Sequence, residues 1–262
     1  DGETYWILDF SMLINGESDF NVHTVRSLFQ DAFAKVWRGD LEDDGFNRLV
    51  LGAGLEGRNV SILRAFSKYE RQIGGRFSQH YIEDTFSRYP SIAQLLINLF
   101  IQRFDPSNVS AENVKAKAYK KLQESIESSL DNVANLDDDR IIRRFVEMIN
   151  ATIRTNYFQL DKLMGEKPYI SFKMVPEKIS EMPQPVPKFE IFVYSPQVEG
   201  VHLRGGKVAR GGLRWSDRRE DFRTEVLGLV KAQQVKNTVI VPVGAKGGFV
   251  CKQLPQGSRE EI

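Results

Sequence analysis

Residues 238–248 read TVIVPVGAKGG, an apolar, β-branched run that leads into a glycine-rich segment carrying one lysine, Lys246. Runs of this kind, bounded by Pro and Gly, are typical of buried strands. We therefore predict a strand over 238–241 and a turn over 244–248. Helical periodicity over about residues 221–236 precedes the strand. A helix that leads into a buried strand indicates an α/β arrangement.

Two segments further upstream predict additional strands. Residues 169–174 (YISFKM) and 189–194 (FEIFVY) alternate in the way that a half-buried strand does. The prolines between them predict a stiff, extended connection, because proline fixes its own backbone angle. These prolines are Pro176, Pro183, Pro185 and Pro187.

Residues from about 22 to 160 predict a helical layer, because apolar residues recur there at three- and four-residue spacing through Ile153. The predicted helix starts are Thr24, Asn59, Pro90, Ser110 or Ala111, and the acidic run 137–139. The expected fold class is mixed α and β. A mainly helical domain over 1–164 is followed by an incomplete α/β domain over 165–262.

The overall charge balance excludes a general attraction to nucleic acid or to acidic membranes. The chain has 36 Lys and Arg against 35 Asp and Glu, a net charge of +1. Residues 204–252 differ, with eleven basic and four acidic residues, so that 11 − 4 gives +7 locally. We expect that segment to attract anions. No apolar run approaches the roughly 18 residues that a membrane-spanning helix needs, so no membrane partner is expected.

The cysteine content and the two ends indicate the setting of the chain. Cys251 is the only cysteine, which rules out an internal disulfide and predicts a reducing, cytoplasmic location. The first residues, DGET, show neither an initiator Met nor a signal-peptide pattern. The last residues, 256–262, are mostly polar and follow an apolar run. We expect the chain to be an internal piece of a longer protein.

Residues 52–57, GAGLEG, match the G-x-G-x-x-G fingerprint of dinucleotide-binding folds. That fingerprint requires a strand before it and a second parallel strand after the following helix. Residues 48–51 offer a candidate first strand, but the helix after 57 runs through 74–76 into another helical pattern. The sequence therefore favours a loop between two helices, and no NAD site is predicted there.

The glycine-rich region brings together residue types that suit an amino-acid dicarboxylate. Paired glycines at 211–212 let the backbone approach a ligand closely and expose N–H groups. Several cations converge there without matching acids, and cations that remain charged can hold carboxylates by charge-assisted hydrogen bonds. A lysine near other cations and partly removed from water has its ammonium form disfavoured, so that it can carry protons near neutral pH. Lys246 is the candidate for that role.

Other polar residues of this region have a simpler interpretation. Arg214 is expected to tie the glycine loop to carboxylates or carbonyls. Three further arginines, Arg218, Arg219 and Arg223, are expected to pair with the nearby acids Asp217, Glu220 and Asp221. The three histidines, His23, His80 and His202, lack metal-ligand spacing, so no metal site is predicted.

The run 198–250, which includes GVHLRGGKVARGGLRWS at 200–216, resembles the large bacterial NAD-specific glutamate dehydrogenases. The resemblance extends to GDLEDDGFNR at 39–48 and RTNYFQ at 154–159, and so covers most of the chain. The smaller glutamate dehydrogenases show a related pattern, K-G-G-[IL]-R, then M-x-x-K, then P-x-G-G-[AG]-K.

Carried over residue by residue, the resemblance implies that Lys246 is the catalytic lysine and that Lys236 contacts the substrate α-carboxylate. Arg210 stands where the smaller enzymes have a carboxylate-gripping lysine, and Gln233 stands where they have a methionine. Gly211 and Gly212 complete the implied substrate site. Arg210 and Gln233 depart from the pattern, and the turn before Lys246 is one residue shorter, so the lysine assignments are the firmer ones.

The resemblance also implies a function. The chain would then be part of an oxidoreductase of amino-acid catabolism, a homo-oligomer that reversibly deaminates L-glutamate to 2-oxoglutarate and ammonia with NAD. Lys246 would activate water and stabilise a carbinolamine, while Lys236 and Arg210 would position the substrate. Residues 165–262 would be the first part of its substrate-binding domain. The family's aspartate base and its NAD-binding Rossmann domain would lie beyond Ile262, so the isolated chain is expected to be inactive.

Three alternatives stay open at this point. Leucine and phenylalanine dehydrogenases share a related lysine pattern, and an apolar pocket in place of a second cationic clamp would favour them. Residues 204–206 and 210–212 resemble the RGG segments of nucleic-acid-binding modules, although such segments are usually disordered and these adjoin strongly apolar elements. The helical region, finally, is a candidate regulatory or assembly platform, for which the sequence identifies no effector.

Overall fold

The structure is a computed structural model that describes residues 22–161, 165–207, 210–236 and 244–254, without the side chains of 22–24 and 234–236. The α-helices within these ranges are α1 (Val22–Arg38), α2 (Arg48–Gly52), α3 (Gly57–Gln72), α4 (Gln79–Arg88), α5 (Pro90–Phe104), α6 (Glu112–Leu130), α7 (Leu136–Ala151) and α8 (Phe222–Lys236). Two short 3-10 helices lie at Gly45–Asn47 and Pro176–Lys178. The strands are β1 (Thr152–Thr155), β2 (Leu160–Asp161), β3 (Gly165–Glu166), β4 (Ile170–Met174), β5 (Phe189–Tyr194), β6 (Val198–Arg204), β7 (Leu213–Trp215) and β8 (Ala245–Cys251). None of the described helices is both long and apolar enough to cross a membrane.

The described strands form a six-stranded sheet in the order β1-β4-β5-β6-β8-β7 and a separate β2–β3 pair. Helices α1 to α7 precede this sheet in the chain, so the predicted mixed class, helical first and sheet-containing second, is confirmed. Neighbouring strands run antiparallel except at one edge, where β7 and β8 are parallel. Because α8 connects these two strands, the edge is a β-α-β unit, the arrangement that parallel neighbours require.

The helical layer packs against one face of the sheet around a group of aromatic rings. Strand pairing places Phe172 of β4 opposite Phe192 of β5, so that both side chains share one face. Phe66 of α3 stacks on Phe172 with ring centroids 4.3 Å apart, and it meets Phe100 and Phe145 edge-on. All five rings are fully buried. Aromatic pairs in these geometries add to the stabilisation from buried area, and they fix how α3, α5 and α7 lie on the sheet.

Several predicted element boundaries are confirmed and others are wrong. Strand β5 and helix α8 match their predictions, and Pro90 occupies the first turn of α5. Asn59, predicted as a cap, lies inside α3, where its Oδ1 accepts a hydrogen bond of 2.6 Å from the Tyr157 hydroxyl. Thr24 likewise lies inside α1 rather than at its start. Ile153 is not helical, because α7 ends at Ala151 and residues 152–155 pair with β4 instead.

The remaining predicted starts agree with the structure. Ala111 is the residue before α6, and residues 137–139 place their carboxylates in the first turn of α7, where they favour the positive end of the helix dipole. Residues 52–57 connect α2 to α3, and Gly54 adopts a φ of +61°, which favours glycine. The predicted loop between two helices is therefore confirmed.

The glycine-rich segment around Lys246 differs from its prediction. Residues 244–248 were expected to form a turn, yet Ala245 begins β8, which pairs with β6 on one side and β7 on the other. The glycines serve close packing instead: a Cβ at Gly248 would lie 2.5 Å from Cγ2 of Val226 on α8. Sequence rules associate consecutive glycines with turns, and this crowding from both sides is invisible to them. The strand predicted over 238–241 lies outside the described residues.

Candidate functional site

The start of β8 is where three parts of the glycine-rich region meet. The carbonyl of Arg210 accepts a hydrogen bond of 2.9 Å from the Ala245 N–H, and the carbonyl of Gly212 accepts one of 3.1 Å from the Gly247 N–H. On the other side, the Gly205 N–H donates to the Gly244 carbonyl at 3.3 Å. These bonds place the predicted substrate residues of 210–212 directly beside the strand that carries Lys246.

Residue 211 has no space for a side chain at this junction, so only glycine fits there. A Cβ at residue 211 would overlap the backbone carbonyl of Ala245, whereas a Cβ at Gly212 would meet nothing within 4 Å. We therefore expect Gly211→Ala to destabilise the chain by about 1–3 kcal/mol, the usual cost of overpacking, because the backbone of β8 has to move. Chemical denaturation measures this loss.

The neighbouring glycine provides the matched control. Gly212→Ala adds the same methyl group one residue away and is expected to change the free energy of unfolding by less than about 0.5 kcal/mol. Equal losses for the two variants would contradict the close approach of residue 211 to Ala245.

Lys246 lies on the helix-covered face of the sheet. It pairs with Leu203 of β6, and the next pair on the same face is Gly248 with Val201. Leu203 is fully buried, and Val226 of α8 packs over Gly248. The Lys246 side chain itself is half-buried. Lys246 is therefore partly removed from water on the sheet face that α8 covers.

Helix α8 brings Gln233 to the same place. Its amide nitrogen lies only 2.8 Å from where a Cβ at Gly244 would be, and the Arg210 carbonyl lies 3.0 Å from that point. Gln233, Gly244 and Arg210 are thus immediate neighbours. Lys236 is the last residue of α8, three positions after Gln233, although its side chain lies outside the described part. The structure therefore gathers Arg210, Gly211, Gly212, Gln233 and Lys246, and it places the Lys236 backbone one helical turn further on.

The predicted structural arginines are confirmed for two of the four residues. Arg214 forms an ion pair of 2.6 Å with Glu225, whose other oxygen accepts from the Ser216 hydroxyl at 2.5 Å. Arg218 pairs with Asp221. Arg219 instead donates to the Lys252 carbonyl at 2.9 Å.

Arg223 has a partner far from it in the sequence. Its guanidinium donates two hydrogen bonds of 2.7 Å to the carboxylate of Glu190 on β5, and both residues are fully buried. The prediction that Arg223 pairs with Asp217, Glu220 or Asp221 is therefore wrong. A signal was present, since Glu190 has the same strand phase as the buried Phe192 and Tyr194. A carboxylate in that position needs a buried cationic partner.

His202 lies near the site but on the other face of the sheet. It pairs with Gly247, the residue after Lys246, and successive residues of a strand face opposite sides of the sheet. The side chains of His202 and Lys246 therefore lie on opposite faces. Burial and the nearby Arg204 lower the pKa of His202 below its ordinary value, which keeps the ring neutral at pH 7. Within the described ranges, no group of three or more His, Cys, Asp or Glu residues is arranged to hold a metal ion.

Comparison with protein families decides the assignment. Residues 125–262, more than half of the chain, match the model of the bacterial NAD-glutamate dehydrogenase catalytic domain. The chain belongs to this family. Residues 41–106 match a second model, glutamate dehydrogenase helical motif 3, which falls in the helical layer of this bacterial NAD-glutamate dehydrogenase chain.

Several curated relatives of this family member share its sequence over nearly its whole length. It is 54% identical to the NAD-specific glutamate dehydrogenase of Pseudomonas aeruginosa over 263 residues, and 51% identical to that of Halomonas elongata over 258 residues. These alignments cover 100% and 98% of the chain, respectively. Against the enzyme of Mycobacterium tuberculosis the identity is 50%, over 87% of the chain. The chain spans only 14–16% of the length of these relatives.

Proposed function

We propose that this chain supplies the substrate-gripping part of a longer enzyme that oxidises L-glutamate to 2-oxoglutarate and ammonium. Water is consumed, and hydride passes to NAD. The observation that supports it most directly is the junction at the start of β8. There the Arg210 carbonyl accepts a hydrogen bond of 2.9 Å from Ala245, the residue before Lys246, and the Gln233 amide lies beside Gly244. Family membership and the names of the relatives favour glutamate as the substrate.

The proposed roles follow from the chemistry of each side chain. Lys246 takes a proton from the attacking water and stabilises the carbinolamine, a task that suits a half-buried amine at the edge of a covered sheet face. Lys236 and Arg210 bind carboxylate oxygens and so orient the Cα hydrogen for transfer. Gln233 and the backbone of Gly211 and Gly212 complete the surface that contacts the substrate.

The dinucleotide-like motif of the helical layer does not fit NAD. The G-x-G-x-x-G segment at 52–57 follows α2, a helix, whereas a dinucleotide fingerprint follows a strand. In our proposal NAD binds to another part of the longer protein, and residues 1–164 and 165–262 act as a helical domain and the first part of the substrate-binding domain. A cytoplasmic homo-oligomer belongs to the same proposal.

A rate comparison tests this function. The long protein that contains this chain is expected to form NADH from L-glutamate at least about tenfold faster than from L-leucine or L-phenylalanine at equal concentration, because a second cationic clamp suits only the dicarboxylate. Formation of NADH is followed by its absorbance. Faster oxidation of leucine would replace glutamate with a branched-chain substrate, and no NADH with any amino acid would end the proposal.

A further inference from the structure

The last residue of α3 holds the beginning of α8. The side-chain amide of Gln72 donates a hydrogen bond of 3.0 Å to the Arg219 carbonyl and accepts one of 3.1 Å from the Arg223 backbone N–H. That N–H belongs to the first turn of α8, where helix donors have no partner within the helix. Gln72 is 3% exposed, so these bonds are shielded from water. A residue of the helical layer thus caps the helix that leads to the proposed site.

The same turn of α8 is also attached to the sheet. Arg223 makes its two bonds of 2.7 Å to Glu190 beside the buried ring of Tyr69, which packs on Phe192 at 5.4 Å between centroids. Burial, reinforced by Glu190, raises the pKa of Tyr69 well above its ordinary value, so the phenol stays neutral next to the ion pair. The start of α8 is therefore fixed from two directions, by α3 and by β5.

The far end of α8 carries Gln233 and Lys236, which the proposed function assigns to substrate binding. The helix has 15 residues and is about 22 Å long. Along it, Val226 packs on Gly248, and Gln233 reaches Gly244. Because a helix transmits a displacement of its first turn along its axis, the position of Gln233 and Lys236 depends on how the start of α8 is held.

We propose that Gln72 is a positioning residue for the substrate site: it lets the helical layer set where the carboxylate-binding end of α8 lies. This inference rests on the proposed function. It gives the helical layer a task in substrate recognition although Gln72 lies at the opposite end of α8 from Gln233.

The test is Gln72→Leu in the long enzyme, which removes both hydrogen bonds while keeping most of the side-chain volume. The KM for glutamate is expected to rise about tenfold, since small misplacements of positioning groups have large effects, while the KM for NAD changes by less than about twofold. A loss of correctly folded protein would lower the rate per mole of protein and leave both KM values unchanged. Hydrogen exchange of residues 222–236 in the same protein is expected to become faster, whether or not glutamate is its substrate.

Gln79→Leu is the matched control. Gln79 is also a glutamine of the helical layer with two side-chain hydrogen bonds, to Asp44 at 3.2 Å and Glu83 at 2.7 Å, but its partners lie within that layer. It is expected to change neither the KM for glutamate nor the exchange of α8. An unchanged KM for glutamate in an active Gln72→Leu enzyme overturns the inference, as does unchanged exchange of α8. If the wild-type enzyme does not oxidise glutamate, the proposed function fails, and the exchange result alone decides the role of Gln72.

Discussion

Lys246→Ala in the long enzyme is expected to lower kcat for glutamate oxidation by about 10²- to 10⁴-fold, the range that a positioned proton carrier contributes. The fold should persist, because Lys246 is only half-buried at the second position of β8 and is not part of the aromatic core. Steady-state NADH formation gives kcat, and circular dichroism shows whether the variant is folded.

Lys231→Ala is the control for that variant. Lys231 is an exposed lysine in the middle of α8, so its replacement removes the same charge without touching the start of β8. Its kcat should stay within about twofold of the wild type, as expected for a surface substitution. A fall of less than tenfold for Lys246→Ala would remove this lysine from the chemistry, and comparable falls for both variants would point to a general charge effect.

Arg223→Leu is expected to destabilise the chain by about 3–5 kcal/mol, because it leaves the Glu190 carboxylate buried without its cation. Both side chains are fully buried, so water cannot replace the two lost hydrogen bonds of 2.7 Å. Denaturant unfolding of the 262-residue chain measures the loss.

Two further variants separate the ion pair from its surroundings. The double variant Arg223→Leu with Glu190→Leu removes both charges and is expected to recover most of the loss, since an apolar pair of similar volume is tolerated in such positions. Arg218→Leu breaks the exposed pair with Asp221 and should cost less than about 1 kcal/mol. A double variant as unstable as Arg223→Leu would show that the packing of the long side chain, rather than the unpaired carboxylate, sets the cost.

Local sequence patterns were sufficient for much of this fold. The alternation FEIFVY predicts β5 because successive side chains of a half-buried strand face opposite sides of the sheet. The burial of Glu190, Phe192 and Tyr194 follows that alternation. Helix α8 has an equally local cause in its periodic apolar residues. The candidate site residues Arg210, Gln233 and Lys246 are predicted only by resemblance to a family motif. Local patterns of hydrophobicity and charge do not distinguish them from other polar residues.

What the sequence could not supply depends on contacts between distant residues. Whether Gly247 and Gly248 form a turn or a strand is decided by Leu213 and Val226, which pack against them after the chain has folded. The partner of Arg223 lies 33 positions away, and the nearer acids Asp217 and Asp221 were the reasonable local choice. Propensity rules use only residues that are close in the sequence, and they cannot predict which distant residues will be in contact.

The bonds from Gln72 to the start of α8 close loops of 147 and 151 residues. Closing a loop of that length costs entropy before the contact returns any energy, and contacts of large sequence separation slow folding. The proposed substrate site depends on these bonds, so it has to wait until the helical layer has condensed on the sheet. The site for the substrate therefore forms late in folding. Slow packing of the helical layer on the sheet would delay the appearance of activity without changing the activity of the folded enzyme.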